Sequence, residues 1–141
     1  MDQVIEFAGN HALLSGGFVA VLALLVWTEI HRRLQGLSEL TPSEAVGWMN
    51  DPATVVIDVS SAADFNKGHI INARNISMSR IGAADAEIQK LKESRLVMVC
   101  KTGQSASQAA ASMKKLGAKE VAVLKGGMAR WLGDQYPVTK K

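Results

Sequence analysis

The chain has 141 residues, 48% of them hydrophobic and 21% charged, with one cysteine and seven aromatics. That is about one domain with a short appendage, too little chain for a barrel enzyme or a two-domain dehydrogenase. A single cysteine excludes an intramolecular disulfide framework and a multi-cysteine metal site, and a net charge of +3 is too small to indicate a partner.

The distribution of charge says more than its sum. All 16 Lys and Arg lie from Arg32 onward with 10 of the 13 acids, so the first 30 residues carry −3 and the remainder +6. Residues 1–11 form a short tail. Residues 12–30 are apolar, with one charge, Glu29, near their end. As a helix this run extends roughly 28 Å, close to the hydrocarbon thickness of a bilayer. A buried core helix would show a polar face to solvent, and the run has none. A cleaved signal peptide starts with basic residues, whereas here the start is acidic and Arg32-Arg33 follow the run. The reading is an uncleaved transmembrane helix. Its flanking arginines place the tail outside and the rest of the chain in the cytoplasm, and a reduced compartment suits one free thiol.

After a linker over residues 31–37, Thr41-Pro42-Ser43-Glu44 is a capping box with proline at the first helical position, which predicts a helix through about Asn50. Asp51-Pro52 ends it. Residues 55–59 form a short β-branched run and read as a buried strand, followed by a helical turn over 62–66. The spacing predicts one helix over 79–93 with Ile81, Ile88 and Leu91 inward, and a second strand over 96–100. Residues 105–116 are an alanine-rich helix closed by Gly117, residues 120–124 a third strand, and Gly126-Gly127 turn into a last helix through Leu132. Strands alternating with helices predict an α/β domain over 38–141 with a mainly parallel central sheet, preceded by the one membrane helix.

Cys100 is placed at the end of a strand, before Lys101-Thr102-Gly103-Gln104-Ser105 and a helix. In open α/β sheets ligands gather at the carboxyl ends of strands. A loop entering a helix there aims backbone N–H groups at one spot, and with the helix dipole and Lys101 these are expected to lower the thiol pKa. Gly103 would let the loop curl around the sulfur. The residues alone allow two readings of Cys100: a small core residue that closes a strand, or a nucleophile. Taken alone, Asp58 reads as a strand-end cap and His69 as a satisfied loop histidine. His11, His31 and His69 stand apart, so no metal site is expected. Lys114-Lys115 and Lys140-Lys141 lack interleaved aromatics and read as a solvated face, with no nucleic-acid partner.

The succession Ile57-Asp58-Val59, Asp64-Phe65, Gly68-His69-Ile70, Ala73-Arg74-Asn75-Ile76, Cys100 to Ser105 and Gly126-Gly127-Met128-Ala129-Arg130-Trp131 resembles a single-domain rhodanese over about residues 38–138. With the preceding helix, it is similar to the small membrane-tethered rhodaneses of bacteria. The resemblance implies a three-layer rhodanese-like domain and a sulfurtransferase. Cys100 would carry sulfane sulfur as a persulfide, from a small donor such as thiosulfate to a thiol or other nucleophile, with no separate cofactor. Lys101 to Ser105 would form the cradle, with Asp58 and His69 as scaffold supports. Members of the family often carry arginine where this chain has Ser60 and Ser105. A planar fork of donors suits oxyanions and serine does not replace it, so thiosulfate is expected to bind weakly. The same departures open a second reading, a weakly active or inactive module that serves a membrane protein partner. A related oxyanion-gripping phosphatase or arsenate-reducing loop would end in arginine, and residues 105 and 106 are Ser and Ala.

Overall fold

A computed structural model of the chain describes residues 1–34 and 36–140, without the side chains of Ala8, Arg32, Arg33 and Leu34. Gln35 of the expected linker and Lys141 lie outside the described residues. The chain divides into two compact units, one ending at Gly36 and one beginning at Leu37.

The N-terminal unit holds two helices, α1 (Asp2–Asn10) and α2 (Ala12–Leu34). The tail read from the sequence as residues 1–11 is thus largely helical. α2 runs past residue 30 into the segment read as linker, because nothing in Glu29-Ile30-His31-Arg32 breaks a helix. Residues 12–31 form a helix long and apolar enough to cross a membrane, and none of it is buried by protein.

The second unit is built on five strands in the order β1-β5-β4-β2-β3, with every pairing parallel. In chain order they are β1 (Ser38–Leu40), β2 (Thr54–Asp58), β3 (Arg74–Asn75), β4 (Arg95–Val99) and β5 (Glu120–Leu124). The three strands expected from apolar runs are present. Two start one residue earlier than read, which ends β2 at Asp58 and leaves Cys100 just beyond β4. The edge strands β1 and β3 have no apolar run of their own; pairing to β5 and β2 imposes their extension.

The core alternates along the strands. Ile57, Leu96, Met98, Val121 and Val123 face one layer, while Val56, Val97, Val99, Ala122 and Leu124 face the other. Burial on both faces is why these strands read as continuous apolar runs. The first layer contains α5 (Met78–Ala83), α6 (Ala86–Leu91) and α7 (Gln104–Lys115), through Ile81, Ile88, Leu91, Ala106, Ala110 and Met113. The second contains α3 (Pro42–Met49) and α8 (Gly127–Gly133), through Ala45, Met128 and Trp131. Between β2 and β3 lies α4 (Ala62–Lys67).

The single helix expected over 79–93 is two. Ala84 takes a left-handed conformation at φ 49°, and the Asp85 side chain accepts from the Ile88 amide, starting a new helix. The expected inner face survives the break, since Ile81, Ile88 and Leu91 are all buried. The capping box at α3 forms as read: Glu44 N–H donates to Thr41 Oγ1 at 3.3 Å, and Thr41 N–H donates to Glu44 Oε2 at 2.8 Å.

Candidate functional site at the carboxyl ends of β2, β4 and β5

β4 is the central strand of the sheet, so the loop leaving it is flanked on both sides. On one side, Val59 N–H donates to Val99 O at 2.8 Å, which holds the exit of β2 beside the exit of β4. On the other, Met128 N–H donates to Cys100 O at 2.9 Å and Ala129 N–H to Lys101 O at 3.0 Å. Three strand exits therefore converge around Cys100.

The Cys100 side chain is 3% exposed, and Gly103 N–H donates to its Sγ at 2.9 Å. This bond depends on Gly103 standing at φ 98°, a conformation that glycine adopts without steric cost. Ser107 fixes the loop from the helix side: its N–H and its Oγ both donate to Gly103 O, at 3.1 and 2.9 Å. Lys101, Thr102, Gln104 and Ser105 are exposed around the buried sulfur.

Helix caps distinguish the starts of α7 and α8 from those of the other helices of the domain. α3, α4, α5 and α6 start under the side chains of Thr41, Ser61, Ser77 and Asp85, each accepting from an amide of the first turn. α7 and α8 start at Gly103 and Gly126, both left-handed and neither with a side chain to offer. The first-turn amides of α7 therefore face the Cys100 loop without a competing side-chain acceptor, and they carry the positive end of a 12-residue helix. Such an arrangement stabilises negative charge on sulfur or on an anion bound beside it.

Gly127 brings the third exit in. A Cβ there would lie 2.8 Å from the Lys101 carbonyl carbon and oxygen, and closer still to Cys100 O, and φ is already 59°. Only a residue without a side chain lets α8 approach the Cys100 loop this closely.

Asp58 is 2% exposed and its Oδ1 accepts from Ser60 N–H at 2.9 Å, which shapes the exit of β2. Asn75 clamps the same turn, with Nδ2 donating to Asp58 O at 3.1 Å and to Ser60 O at 2.9 Å. His69, also 2% exposed, lies stacked on Phe65 at 3.6 Å with its Nδ1 2.8 Å from Phe65 O. Its backbone forms a two-bond bridge with Thr139, at 2.9 and 2.8 Å, which ties down the C-terminal segment. Of the residues singled out in the sequence, Asp58 and Cys100 to Ser105 thus meet at one sheet end, and His69 packs between α4 and the C-terminal segment. Asn75, Ser107 and the packing role of Gly127 were missed. Their only sequence signals were the Ala73 to Ile76 run and the paired glycines.

Comparison with known proteins matches residues 41–134 to the rhodanese-like domain family. The uncharacterized protein YibN of Escherichia coli K12 is 30% identical over 141 residues, covering 99% of both chains. The probable adenylyltransferase/sulfurtransferase MoeZ of Mycobacterium tuberculosis is 29% identical over 101 residues, which are 71% of this chain and 26% of that protein. Among solved structures, a thiosulfate sulfurtransferase from Pseudomonas aeruginosa superposes with a TM-score of 0.64 at 27% identity, over 73% of this chain and 19% of that one. A rhodanese-related protein from Thermoplasma volcanium gives 0.65 at 21% identity, over 74% and 99% of the two chains.

Proposed function

This chain belongs to the rhodanese-like domain family, and from that premise we propose that it is a membrane-tethered sulfurtransferase that carries sulfane sulfur on Cys100. The observation that carries the reading is the Gly103 N–H aimed at Cys100 Sγ from 2.9 Å, at a helix start with no side-chain cap.

In the first step the Cys100 thiolate attacks the outer sulfur of thiosulfate or a related donor. A new S–S bond forms, the old one breaks, and sulfite leaves with the bonding pair. Cys100 is then a persulfide anion, whose charge the amides of residues 101 to 105 and the α7 dipole would balance. In the second step an acceptor thiolate attacks the outer sulfur, takes it as its own persulfide and returns Cys100 as thiolate. Lys101 supplies the one full positive charge within the 101–105 loop. Asp58 and Asn75 would act as positioning residues for the β2 exit. The persulfide is the only carrier the reaction requires.

Residues 12–31 would hold the domain at a bilayer, and the positive charge of Arg32 and Arg33 favours a cytoplasmic domain of an inner membrane. A second reading rests on Ser60 and Ser105, which give a bound oxyanion hydroxyls rather than guanidinium forks. In that reading the domain is a docking module for a membrane protein, with little transfer of sulfur.

Thiocyanate formation from thiosulfate and cyanide separates the two. The transferase reading predicts turnover by the wild-type chain and none by Cys100→Ala with an unchanged circular dichroism spectrum. Turnover surviving in Cys100→Ala would remove the assigned nucleophile, and no turnover by wild type with any sulfane donor would favour the module.

A further inference from the structure

The first helix is left unused by sulfur transfer. Its residues separate cleanly by helical spacing. Met1, Val4, Ile5 and Phe7 recur at three- and four-residue intervals on one side, while Asp2, Gln3, Glu6 and Asn10 recur on the other. The apolar side is largely open among the described residues: Val4 is 73%, Ile5 71% and Phe7 60% exposed. Nine residues are too few for an isolated helix to hold in water, so a second phase has to cover that side if the helix is to persist.

The join between the two helices identifies the phase that stands nearest. One residue, His11, separates α1 from the apolar helix α2. Its dihedrals, φ −127° and ψ 50°, are not helical, so α1 is not the first two turns of one straight rod. The break is nonetheless bonded through: His11 N–H donates to Phe7 O at 3.0 Å, Ser15 N–H donates to His11 O at 2.9 Å, and the His11 and Phe7 rings lie 4.9 Å apart. A bonded bend at the mouth of a 20-residue apolar helix would hold α1 at the surface of any bilayer that α2 crosses.

We propose that α1 lies in the interface of the bilayer that α2 crosses, with Val4, Ile5 and Phe7 in the acyl boundary and Asp2, Glu6 and Asn10 in water. This rests on the membrane-spanning reading of α2. The charge of the helix selects the lipid. Between Asp2 and Asn10 there are two acids and no Lys or Arg, so anionic headgroups are disfavoured and the surface it fits is zwitterionic. α1 would then fix the depth and tilt of α2, in the way that interfacial residues anchor other spans.

The test is a spin-label accessibility scan of the full-length chain in phosphatidylcholine bilayers, in a Cys100→Ser background so that each label is single. Nitroxides go on Ile5→Cys and Glu6→Cys in α1 and on Leu22→Cys in α2. The proposal predicts label 22 in the oxygen-rich acyl core. It predicts label 5 more accessible to oxygen than to a water-soluble nickel complex, and the inverse ratio at label 6. Label 22 in the acyl core with labels 5 and 6 both open to nickel would overturn the interfacial helix and leave the span standing. Label 5 shielded from both reagents, with dipolar broadening between chains, would overturn it in favour of a second copy of the chain. Label 22 open to nickel would overturn the span and this proposal together.

Discussion

Leu22 and Leu96 are the same residue in two regions that treat it differently. Leu96 is fully buried in β4, whereas Leu22 is 45% exposed on α2, as are most of its large apolar neighbours. In the domain, apolar runs last about five residues and end at Asp58, Cys100 or Lys125, where the chain turns. From Ala12 to Thr28 no such stop occurs. The same hydrophobic content thus gives a three-layer core when it is punctuated and a helix long and apolar enough to cross a membrane when it is not, because a short run must turn back onto its neighbours and a long one has none to turn to. The glycines teach the same thing. Gly16 and Gly17 meet nothing that a Cβ would disturb, while Gly127 sits against two backbone carbonyls of the site loop.

Seven substitutions, in four sets, would break or sharpen this contrast. The largest effect is expected at Gly127→Ala, which adds left-handed strain to a backbone collision and costs on the order of 4 kcal/mol. In thermal unfolding of this domain that is a fall of about 20 °C. Gly17→Ala, made in parallel, is expected to leave the domain's transition where it was. Equal shifts would mean that the two regions are not independent in the way described.

Ile57→Ala empties a fully buried position in the first core layer and is expected to cost about 3 kcal/mol by denaturant titration. Leu22→Ala removes the same kind of side chain from α2 and should leave that titration unchanged. Asp58→Ala leaves the Ser60 amide at a buried turn without its acceptor and is expected to cost about 1–3 kcal/mol. Asp58→Asn, which keeps an oxygen there, should recover most of this. If Asn is as damaging as Ala, the charge of Asp58 matters rather than its hydrogen bond.

The smallest effect is at the start of α3. Glu44 is held below the ordinary carboxyl pKa, first by the Thr41 N–H donated to it, then by the Thr41 hydroxyl. A depressed carboxyl contributes stability above its unfolded pKa and loses it as the pH falls through the folded value. Glu44→Gln should therefore flatten the acid limb of the domain's stability profile slightly, lowering stability a little at neutral pH and leaving it unchanged below the folded pKa. An unchanged acid limb would show that the capping box is not charge-dependent.

Much of this was legible in the sequence. β2, β4 and β5 announce themselves because both faces are buried, and α3 because its cap is written within four residues. β1 and β3 do not, since Ser38-Glu39-Leu40 and Arg74-Asn75 are extended by their partners rather than by their own side chains. The break at Ala84-Asp85 hides inside a good helical period, because a cap is a competition between a side chain and the backbone that spacing does not register. At the site, the Cys100 to Ser105 loop is contiguous and could be read. Asn75 and Gly127 act across 15 residues or more, and only the folded sheet brings them to Ser60 and to Cys100.

The most direct test of a sulfur carrier on Cys100 is the intact mass of the full-length chain in detergent after exposure to thiosulfate, with and without reductant. The prediction is a gain of one sulfur atom, reversed by reductant and absent from Cys100→Ala. An unchanged mass with both thiosulfate and a polysulfide donor, or a gain that persists in Cys100→Ala, would contradict it.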